Sequence, residues 1–270
     1  MSCYKEYLDK MTWSYSRLST YAQCPYCFYL MYIEDPENRG ESNFYADNGK
    51  LMHEILEKLA KGELSFDDAP GYYIEEFEYI KDEYLGEVQE SIMDSTFEKC
   101  NDYLCEISPG VLEKYDILGV ELKISFKIGR KIFIGYIDLL LRDKNNGEII
   151  LLDHKSRNRI MKKDGKTPLK SEEKNFIGYK RQLYLYSKAV FEKYGEFPKK
   201  LVWHHFKNHG ELTVIDFDMS EYNDTIEWTK KMFRKIWKDE KFESCDLENN
   251  WFYCNNICNY RKICDYKDSE

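Results

Sequence analysis

Apolar and polar residues alternate along the middle of the chain. From Gly119, the stretch GVELKISFKIGRKIFIGYIDLLLRD alternates around a turn at Gly129-Arg130. A period of two is typical of half-buried strands, so the stretch predicts a β-hairpin. NNGEIILLDHK, ending at Lys155, supplies another turn and strand. Together these segments predict a three-stranded meander.

Helical periodicity surrounds this meander. Apolar residues recur every three or four positions over four ranges: 14–33, 48–61, 173–194 and 220–241. Pro25 is expected to interrupt the first of these helices. Two more strands are predicted over 200–206 and 212–217, around a turn near Gly210. The order of elements predicts an α/β fold with a central mixed β-sheet flanked by helices.

Length and charge refine this expectation. A chain of 270 residues is within the range of one domain, so we expect a single domain over 1–270. The net charge of -9 argues against a surface that is positive all over. However, residues 62–110 hold 14 acidic residues and 2 lysines, whereas residues 155–181 hold 10 basic and 3 acidic residues. We interpret 62–115 as an acidic helical insertion with a solvated face.

No stretch is apolar enough to cross a membrane, and no secretory leader is recognisable. We therefore expect a soluble, cytoplasmic protein that has no membrane partner. In a reducing compartment, the 9 cysteines are expected to bind metal rather than to form disulfides.

An acidic and a basic residue end the third predicted strand. Side chains alternate in a strand, so Asp153 and Lys155 share a face and His154 points away. A local ion pair would explain them, because burying either charge alone is costly. Asp138, inside the apolar run GYIDLLL of the neighbouring strand, favours another interpretation. Two acids on adjacent strands can bind one divalent cation, and Lys155 can then polarise a water molecule or neutralise charge on a phosphate.

Three further side chains are candidates for this site. His53 lies in GKLMHEILEKL, where it could offer an imidazole to the same ion. Gln182 and Tyr186, four residues apart, share one face of a predicted helix. Taken singly, each of the three is more often a packing residue than a site residue.

The motifs resemble the RecB-type branch of the PD-(D/E)XK nuclease superfamily. They are G-x-x-x-H, G-x-x-D, D-x-K and Q-x-x-x-Y, and they lie at Gly49 to His53, Gly135 to Asp138, Asp153 to Lys155, and Gln182 to Tyr186. The opening WSYSRLSTYAQCPYCFYLMYI also looks like the N-terminal helix of that branch. Five motifs in the right order are specific, although each alone is weak.

The resemblance implies a restriction-endonuclease-like core and a phosphodiester hydrolase. Its implied ligands for Mg²⁺ or Mn²⁺ are His53, Asp138, Asp153 and the main-chain carbonyl of His154. Oxygen-rich ligands suit these ions. Lys155 would orient or activate the attacking water, and Gln182 and Tyr186 would help to hold the lysine and the DNA backbone.

Basic residues follow the catalytic strand. They lie in the loop after it and at the start of the next helix, and those predicted to bind DNA are Arg157, Arg159, Lys162, Lys163, Lys180 and Arg181. Such residues can follow a nucleic-acid backbone and make binding dependent on salt. A merely solvated loop is an equally common explanation for any one of them.

Cysteines cluster near the C-terminus in FYCNNICNYRKICDYKD, with the spacing C-x3-C-x5-C. With Cys24 they could hold an iron–sulfur cluster or a tetrahedral Zn²⁺, and the spacing does not choose between them. Reduced thiols without metal are a third possibility.

Iron–sulfur members of the branch, AddB-type and CRISPR-associated exonucleases, have one cysteine before the catalytic core and three after it. The resemblance thus implies a [4Fe-4S] cluster that pairs the tail at 245–270 with the helix at 14–33, through Cys24, Cys254, Cys258 and Cys264. The usual first spacing is C-x2-C, and here it is one residue longer. Cys27 and Cys245 are therefore possible substitutes.

The sequence thus predicts a metal-dependent DNA nuclease, an exonuclease on single-stranded DNA or free ends. The family implies roles in DNA repair, recombination, CRISPR adaptation or phage DNA processing, with a helicase or a recombination or CRISPR protein as partner. An endonuclease subunit of a larger complex is one alternative. A catalytically silent DNA-binding scaffold is another, against which Asp138, Asp153 and Lys155 argue.

Overall fold

The computed structural model describes residues 3–35, 37, 40–157, 159–162, 164–165 and 167–266. The chain divides into two compact units. Unit 1 comprises Met1–Ala46, Ser125–Gly135 and Ser220–Glu270, and unit 2 comprises Asp47–Ile124 and Tyr136–Met219.

Five strands form one sheet in the order β1-β2-β3-β4-β5. They are β1 Tyr115–Ile128, β2 Lys131–Asp143, β3 Ile149–Lys155, β4 Lys200–His205 and β5 Glu211–Asp216. Strands β2 and β3 are antiparallel, β3 and β4 are parallel, and β4 and β5 are antiparallel. The predicted α/β class with a central mixed sheet is confirmed.

The α-helices of the described chain are α1 Cys3–Lys10, α2 Tyr15–Gln23, α3 Pro25–Tyr29, α4 Phe44–Lys61, α5 Ala69–Glu83, α6 Glu90–Glu106, α7 Glu173–Tyr194 and α8 Met219–Lys238. Short π-helical turns occur at Leu30–Glu34 and Tyr253–Ile257, and 3₁₀ turns at Pro109–Val111, Lys170–Glu172 and Phe206–Asn208. Helix α7 joins the parallel strands β3 and β4, because such strands need a long crossover. None of the described helices has the length and apolarity needed to cross a membrane.

Local sequence signals explain several boundaries. Ser14 caps α2 by accepting a hydrogen bond from the main-chain N–H of Arg17. Cys24 adopts an extended conformation between α2 and α3, and Pro25 occupies the first turn of α3. The predicted interruption therefore separates two helices. Gly195 ends α7 in the left-handed conformation, with φ of 76°, which glycine adopts at little cost.

Unit 1 has an aromatic core around Trp13. The main-chain N–H of Trp13 donates to Ile132 O, and the N–H of Ile134 donates to Trp13 O, both at 2.7 Å. Phe28 stacks on the indole ring, and Phe233 meets it edge to face. This packing fixes the start of α2, which leads to Cys24 and Cys27.

Unit 2 contains most of the sheet and the acidic helices. One face of the sheet carries the buried residues Leu139, Leu141, Ile150, Leu152 and Val202. On β4, Trp203 packs edge to face against Phe176 of α7. Helices α5 and α6 pack together through aromatic rings from Tyr73, Phe77 and Phe97, while their acidic residues are largely exposed.

Candidate active site

The ends of β2 and β3 bring two carboxylates together in unit 2. Leu139 pairs with Leu152 across these strands, so the next positions, Asp138 and Asp153, are cross-strand neighbours. The main-chain N–H of His154 donates to Asp138 Oδ2 at 2.7 Å. Burial and the charge of Asp153 raise the pKa of Asp138 well above its usual value.

Three side chains form a compact group of potential metal ligands. One ligand atom each from His53, Glu121 and Asp138 lies within 4.8 Å of the others. Helix α4 supplies His53, whose Nδ1 is 3.5 Å from Asp138 Oδ2. Burial lowers the pKa of His53, which favours the neutral, ligating imidazole. The group has the oxygen-rich composition with one imidazole that suits Mg²⁺ or Mn²⁺.

Glu121 is a candidate ligand that sequence reasoning missed. Its φ of 45° is unusual for a residue inside a strand, and such strain is often found at functional sites. Burial and the neighbouring Glu57 raise the pKa of Glu121. In the sequence GVELKI, Glu121 fits the alternation of a solvated strand position, so no signal distinguished it. Only the coordinates show that the backbone turns its carboxylate toward His53.

The carboxylate of Asp153 is held from two sides. Lys155 Nζ lies 2.5 Å from Asp153 Oδ2, and Gln182 Nε2 donates to Asp153 Oδ1 at 3.0 Å. Lys155 Nζ in turn donates to Gln182 Oε1 at 3.3 Å. Burial would lower the pKa of Lys155, but the attraction of Asp153 and other neighbours outweighs it and raises this pKa. The expected motif residues Asp153, Lys155 and Gln182 thus form one network.

Two tyrosines of α7 complete the surroundings of Lys155. Tyr186, predicted from the sequence, is buried, and burial and Asp153 raise the pKa of its hydroxyl. Tyr179, which was not predicted, places the centre of its ring 4.5 Å from Lys155 Nζ. Tyr179 precedes Gln182 by three residues, so the helical periodicity that indicated Gln182 and Tyr186 could have found it.

The side chain of His154 lies in a row of imidazoles. Its Nδ1 is 2.7 Å from Nδ1 of His204, its register partner on β4. Burial lowers the pKa of His204 to about 3 and that of His154 well below its usual value. The two rings are therefore neutral near neutral pH. Sequence reasoning assigned His154 only a main-chain role and did not single out His204.

The predicted DNA-binding residues occupy two places in unit 2. Arg157, Arg159 and Lys162 follow β3, and Arg157 approaches Glu172 at 3.5 Å. Main-chain hydrogen bonds from Lys162 to Thr167 and from Leu169 to Ile160 order this loop. Lys180 and Arg181 lie on α7, before Gln182. Lys163 lies outside the described residues.

Six cysteines line one small cavity in unit 1: Cys24, Cys27, Cys245, Cys254, Cys258 and Cys264. The Sγ atoms of Cys27 and Cys258 are 3.8 Å apart, and those of Cys245 and Cys254 are 3.6 Å apart. The main-chain N–H of Cys245 approaches Cys24 Sγ at 3.4 Å. The structure thus brings the four predicted cysteines and both substitutes to one place.

A π-helical turn accommodates the unusual C-x3-C spacing. Cys254 lies within the turn Tyr253–Ile257, and the main-chain N–H of Cys258 donates to Tyr253 O at 2.8 Å. A π-turn closes over one more residue than an α-turn. The extra residue is therefore absorbed within the turn, and both cysteines still line the cavity.

Comparison with known proteins decides the family. The sequence model of the PD-(D/E)XK nuclease superfamily matches residues 12–265. The chain belongs to this superfamily. The predicted enzyme class, a PD-(D/E)XK deoxyribonuclease, is confirmed at the level of the family.

Relatives of this PD-(D/E)XK nuclease include a component of a larger enzyme. Over 57 residues, 21% of this chain, it is 41% identical to one of the subunits of the ATP-dependent helicase/deoxyribonuclease from three Clostridium perfringens strains. The match covers 5% of that relative. The crystal structure of a candidate exonuclease from Eubacterium rectale has a similar fold, with a TM-score of 0.53 and 13% identity, covering 100% of this chain and 93% of that chain. At this identity the likeness concerns the fold alone.

Proposed function

We propose that this PD-(D/E)XK nuclease is a RecB-like, metal-dependent exonuclease that shortens single-stranded DNA from its ends. The observation that carries the proposal is the ligand group of His53, Glu121 and Asp138 beside the Asp153–Lys155 pair. A group built only to stabilise the fold would not need several buried carboxylates, because such groups repel one another and are costly to desolvate.

The donor atoms fit Mg²⁺ or Mn²⁺. We assign His53, Asp138, Asp153 and the main-chain carbonyl of His154 as ligands, and we add Glu121. A bound ion would lower the pKa of a coordinated water molecule and neutralise charge that develops on the phosphate. The buried position of these groups strengthens their attraction for a cation relative to exposed carboxylates.

Lys155 and Gln182 organise the reacting side of the site. The ammonium group of Lys155 can hold the attacking water or a phosphate oxygen, since it carries three donors and no acceptor. Gln182 bonds to both Asp153 and Lys155, so it fixes their separation. Tyr186, buried beside them, can hold the lysine and the DNA backbone.

DNA would reach this site along the basic residues. Arg157, Arg159, Lys162 and Lys163 follow β3, and Lys180 and Arg181 lie on the helix that carries Gln182. Contacts of lysine and arginine with phosphates fix the position of a strand without reading its sequence. We therefore expect cleavage at many sequences and binding that weakens as salt increases.

The cysteines of unit 1 fit an iron–sulfur cluster or zinc. Thiolates are the ligands of both, and six sulfurs around one cavity exceed the four that either requires. We propose a [4Fe-4S] cluster held by Cys24, Cys254, Cys258 and Cys264. It would join the N-terminal helices to the tail at 245–270, as part of one nuclease domain with an acidic insertion at 62–115. Zn²⁺ at the same cysteines is the alternative.

The similarity to a component of a helicase/deoxyribonuclease suggests the setting. A helicase or a recombination or CRISPR protein could feed a DNA end to this chain, in repair, recombination, CRISPR adaptation or phage DNA processing. A cytoplasmic location follows from the DNA substrate.

The proposal is tested with DNA substrates that differ only in their ends. End-labelled linear single strands, circular single strands and blunt duplexes are incubated with the purified protein and Mn²⁺, or with EDTA. We expect a ladder of shortened linear single strands, intact circles, slower duplex degradation, and no cleavage in EDTA. Cleavage of the circles would identify an endonuclease instead. Retention of all substrates without cleavage would support the silent scaffold.

A further inference from the structure

We propose that Tyr179 is a positioning residue for Lys155, and that it holds the ammonium group with the face of its aromatic ring. The inference rests on the proposed function, because it concerns how Lys155 is placed for DNA cleavage. Neither the motifs nor the family match assigns a role to Tyr179.

The ammonium group of Lys155 is contacted from three directions. Asp153 Oδ2 lies at 2.5 Å, Gln182 Oε1 at 3.3 Å, and the centre of the Tyr179 ring at 4.5 Å. A cation within about 6 Å of a ring centre is attracted by the negative charge of the ring face. The lysine side chain is only 16% exposed, so water screens this attraction weakly.

Helix α7 places Tyr179 on the face that forms the site. Tyr179, Gln182 and Tyr186 are separated by three and four residues, so they lie on one side of the helix. The same rigid element therefore carries the amide that bonds to Lys155 and the ring that covers it. Tyr179 is half-buried, which leaves the ring packed against the protein rather than free in water.

A ring face suits this position better than another carboxylate would. Asp153 would be shared between Lys155 and a bound metal ion, so its hold on the lysine would weaken. The flexible stem of lysine would then need another attraction to keep its place. The face of Tyr179 attracts the cation without offering a ligand atom to the metal ion, and so it does not compete with Asp138 or Asp153.

Substitutions at position 179 test the role of the ring. Tyr179→Phe keeps the ring, and we expect its kcat for single-stranded DNA to stay within about twofold of the parent's. Tyr179→Leu keeps apolar bulk without the ring, and we expect kcat to fall about tenfold with KM little changed. Phenylalanines with one, two and three ring fluorines, incorporated at position 179, should lower kcat stepwise, because fluorine withdraws charge from the ring face.

Tyr194→Leu is the matched control. Tyr194 lies on the same helix, and Lys193 Nζ is 5.2 Å from its ring, outside the site. We expect this variant to keep the kcat of the parent. Thermal unfolding of all variants separates a local effect from a loss of fold.

The outcomes separate the two proposals. If the parent cleaves DNA but Tyr179→Leu and the fluorinated series match it in kcat, the role of Tyr179 is refuted and the nuclease stands. If Tyr179→Leu loses activity only in proportion to its unfolded fraction, packing explains the residue and the inference is likewise refuted. A parent that cleaves no DNA would overturn the proposed function, and this inference with it.

Discussion

The main-chain N–H of His154 donates a hydrogen bond of 2.7 Å to the carboxylate of Asp138. This bond links the D-x-K strand to the neighbouring G-x-x-D strand at the candidate metal site. Asp138 therefore has a structural role in addition to its proposed role as a ligand. An asparagine can accept the same hydrogen bond, so the two roles can be separated.

We predict that Asp138→Asn stabilises the metal-free protein and abolishes its stabilisation by Mn²⁺. Burial and Asp153 raise the pKa of Asp138, so the ionised group is unfavourable in the fold. Removing it should increase the free energy of unfolding near neutral pH by at least about 1 kcal/mol, which corresponds to roughly one pKa unit. For the parent, Mn²⁺ at about 100 times its Kd should add about 2.7 kcal/mol. Thermal and urea unfolding, with Mn²⁺ or EDTA, measure both effects. A variant that Mn²⁺ still stabilises fully would contradict the assignment.

The raised pKa of Asp138 also predicts a dependence on pH. The folded state holds this proton more tightly than the unfolded chain, where the pKa is about 3.9. The contribution of Asp138 to stability is thus fully present below about pH 3.9 and is lost as pH rises through the folded pKa. In EDTA, the stability difference between Asp138→Asn and the parent should widen over this range, which urea unfolding at several pH values would show. A constant difference would mean that Asp138 does not titrate as described.

Glu121 should show a conflict between backbone strain and metal binding. Its φ of 45° costs energy that glycine would not incur, so Glu121→Gly should raise the free energy of unfolding in EDTA by about 1 kcal/mol. The same variant should bind Mn²⁺ more weakly, because one carboxylate ligand is removed. Glu121→Gln is the matched control, since it keeps the strain and loses the charge. Calorimetric titration with Mn²⁺ should give weakened binding in both variants. Unchanged binding would exclude Glu121 from the site.

The strands and helices were largely predictable because their burial is periodic. The turn at Gly129-Arg130 separates β1 from β2 as expected, and the helix predicted over 173–194 is α7. Asp138 stood out because a carboxylate inside an apolar run has no packing explanation. The N-terminal helix α1 was not predicted, although it is amphipathic.

Other site residues could not be found from the sequence because their positions depend on tertiary structure. Glu121 occupies an ordinary polar position, and only its left-handed backbone turns the carboxylate toward His53. His204 meets His154 only because β3 and β4 pair in parallel after the α7 crossover. The one-residue excess between Cys254 and Cys258 raised doubt about the cysteine pattern, since a π-turn at Tyr253–Ile257 is not evident from composition.

Metal content should depend on Cys258 and not on Cys105. Cys258 is buried in the cavity, whereas Cys105 is exposed on unit 2. We predict that anaerobically purified parent protein is brown and contains four irons per chain if it holds the proposed cluster. Cys258→Ser should lose iron, and Cys105→Ser should retain it. Elemental analysis and absorption spectra provide the measurement. Colourless parent protein with stoichiometric zinc would replace the cluster by a zinc site, and an absence of both metals would refute the metal site.

The central claim is that Asp138, Asp153 and Lys155 act together on a DNA phosphodiester with a divalent ion. Its most direct test is the rate of Mn²⁺-dependent cleavage of end-labelled single-stranded DNA by Asp153→Asn and Lys155→Ala. The matched control is Asp143→Asn, on the same strand as Asp138, where an asparagine can still accept the hydrogen bond from the N–H of Asn145. We predict at least about a 100-fold loss of kcat in the two site variants, with folding retained, and parental activity in the control. Parental activity in Asp153→Asn and Lys155→Ala would contradict the account.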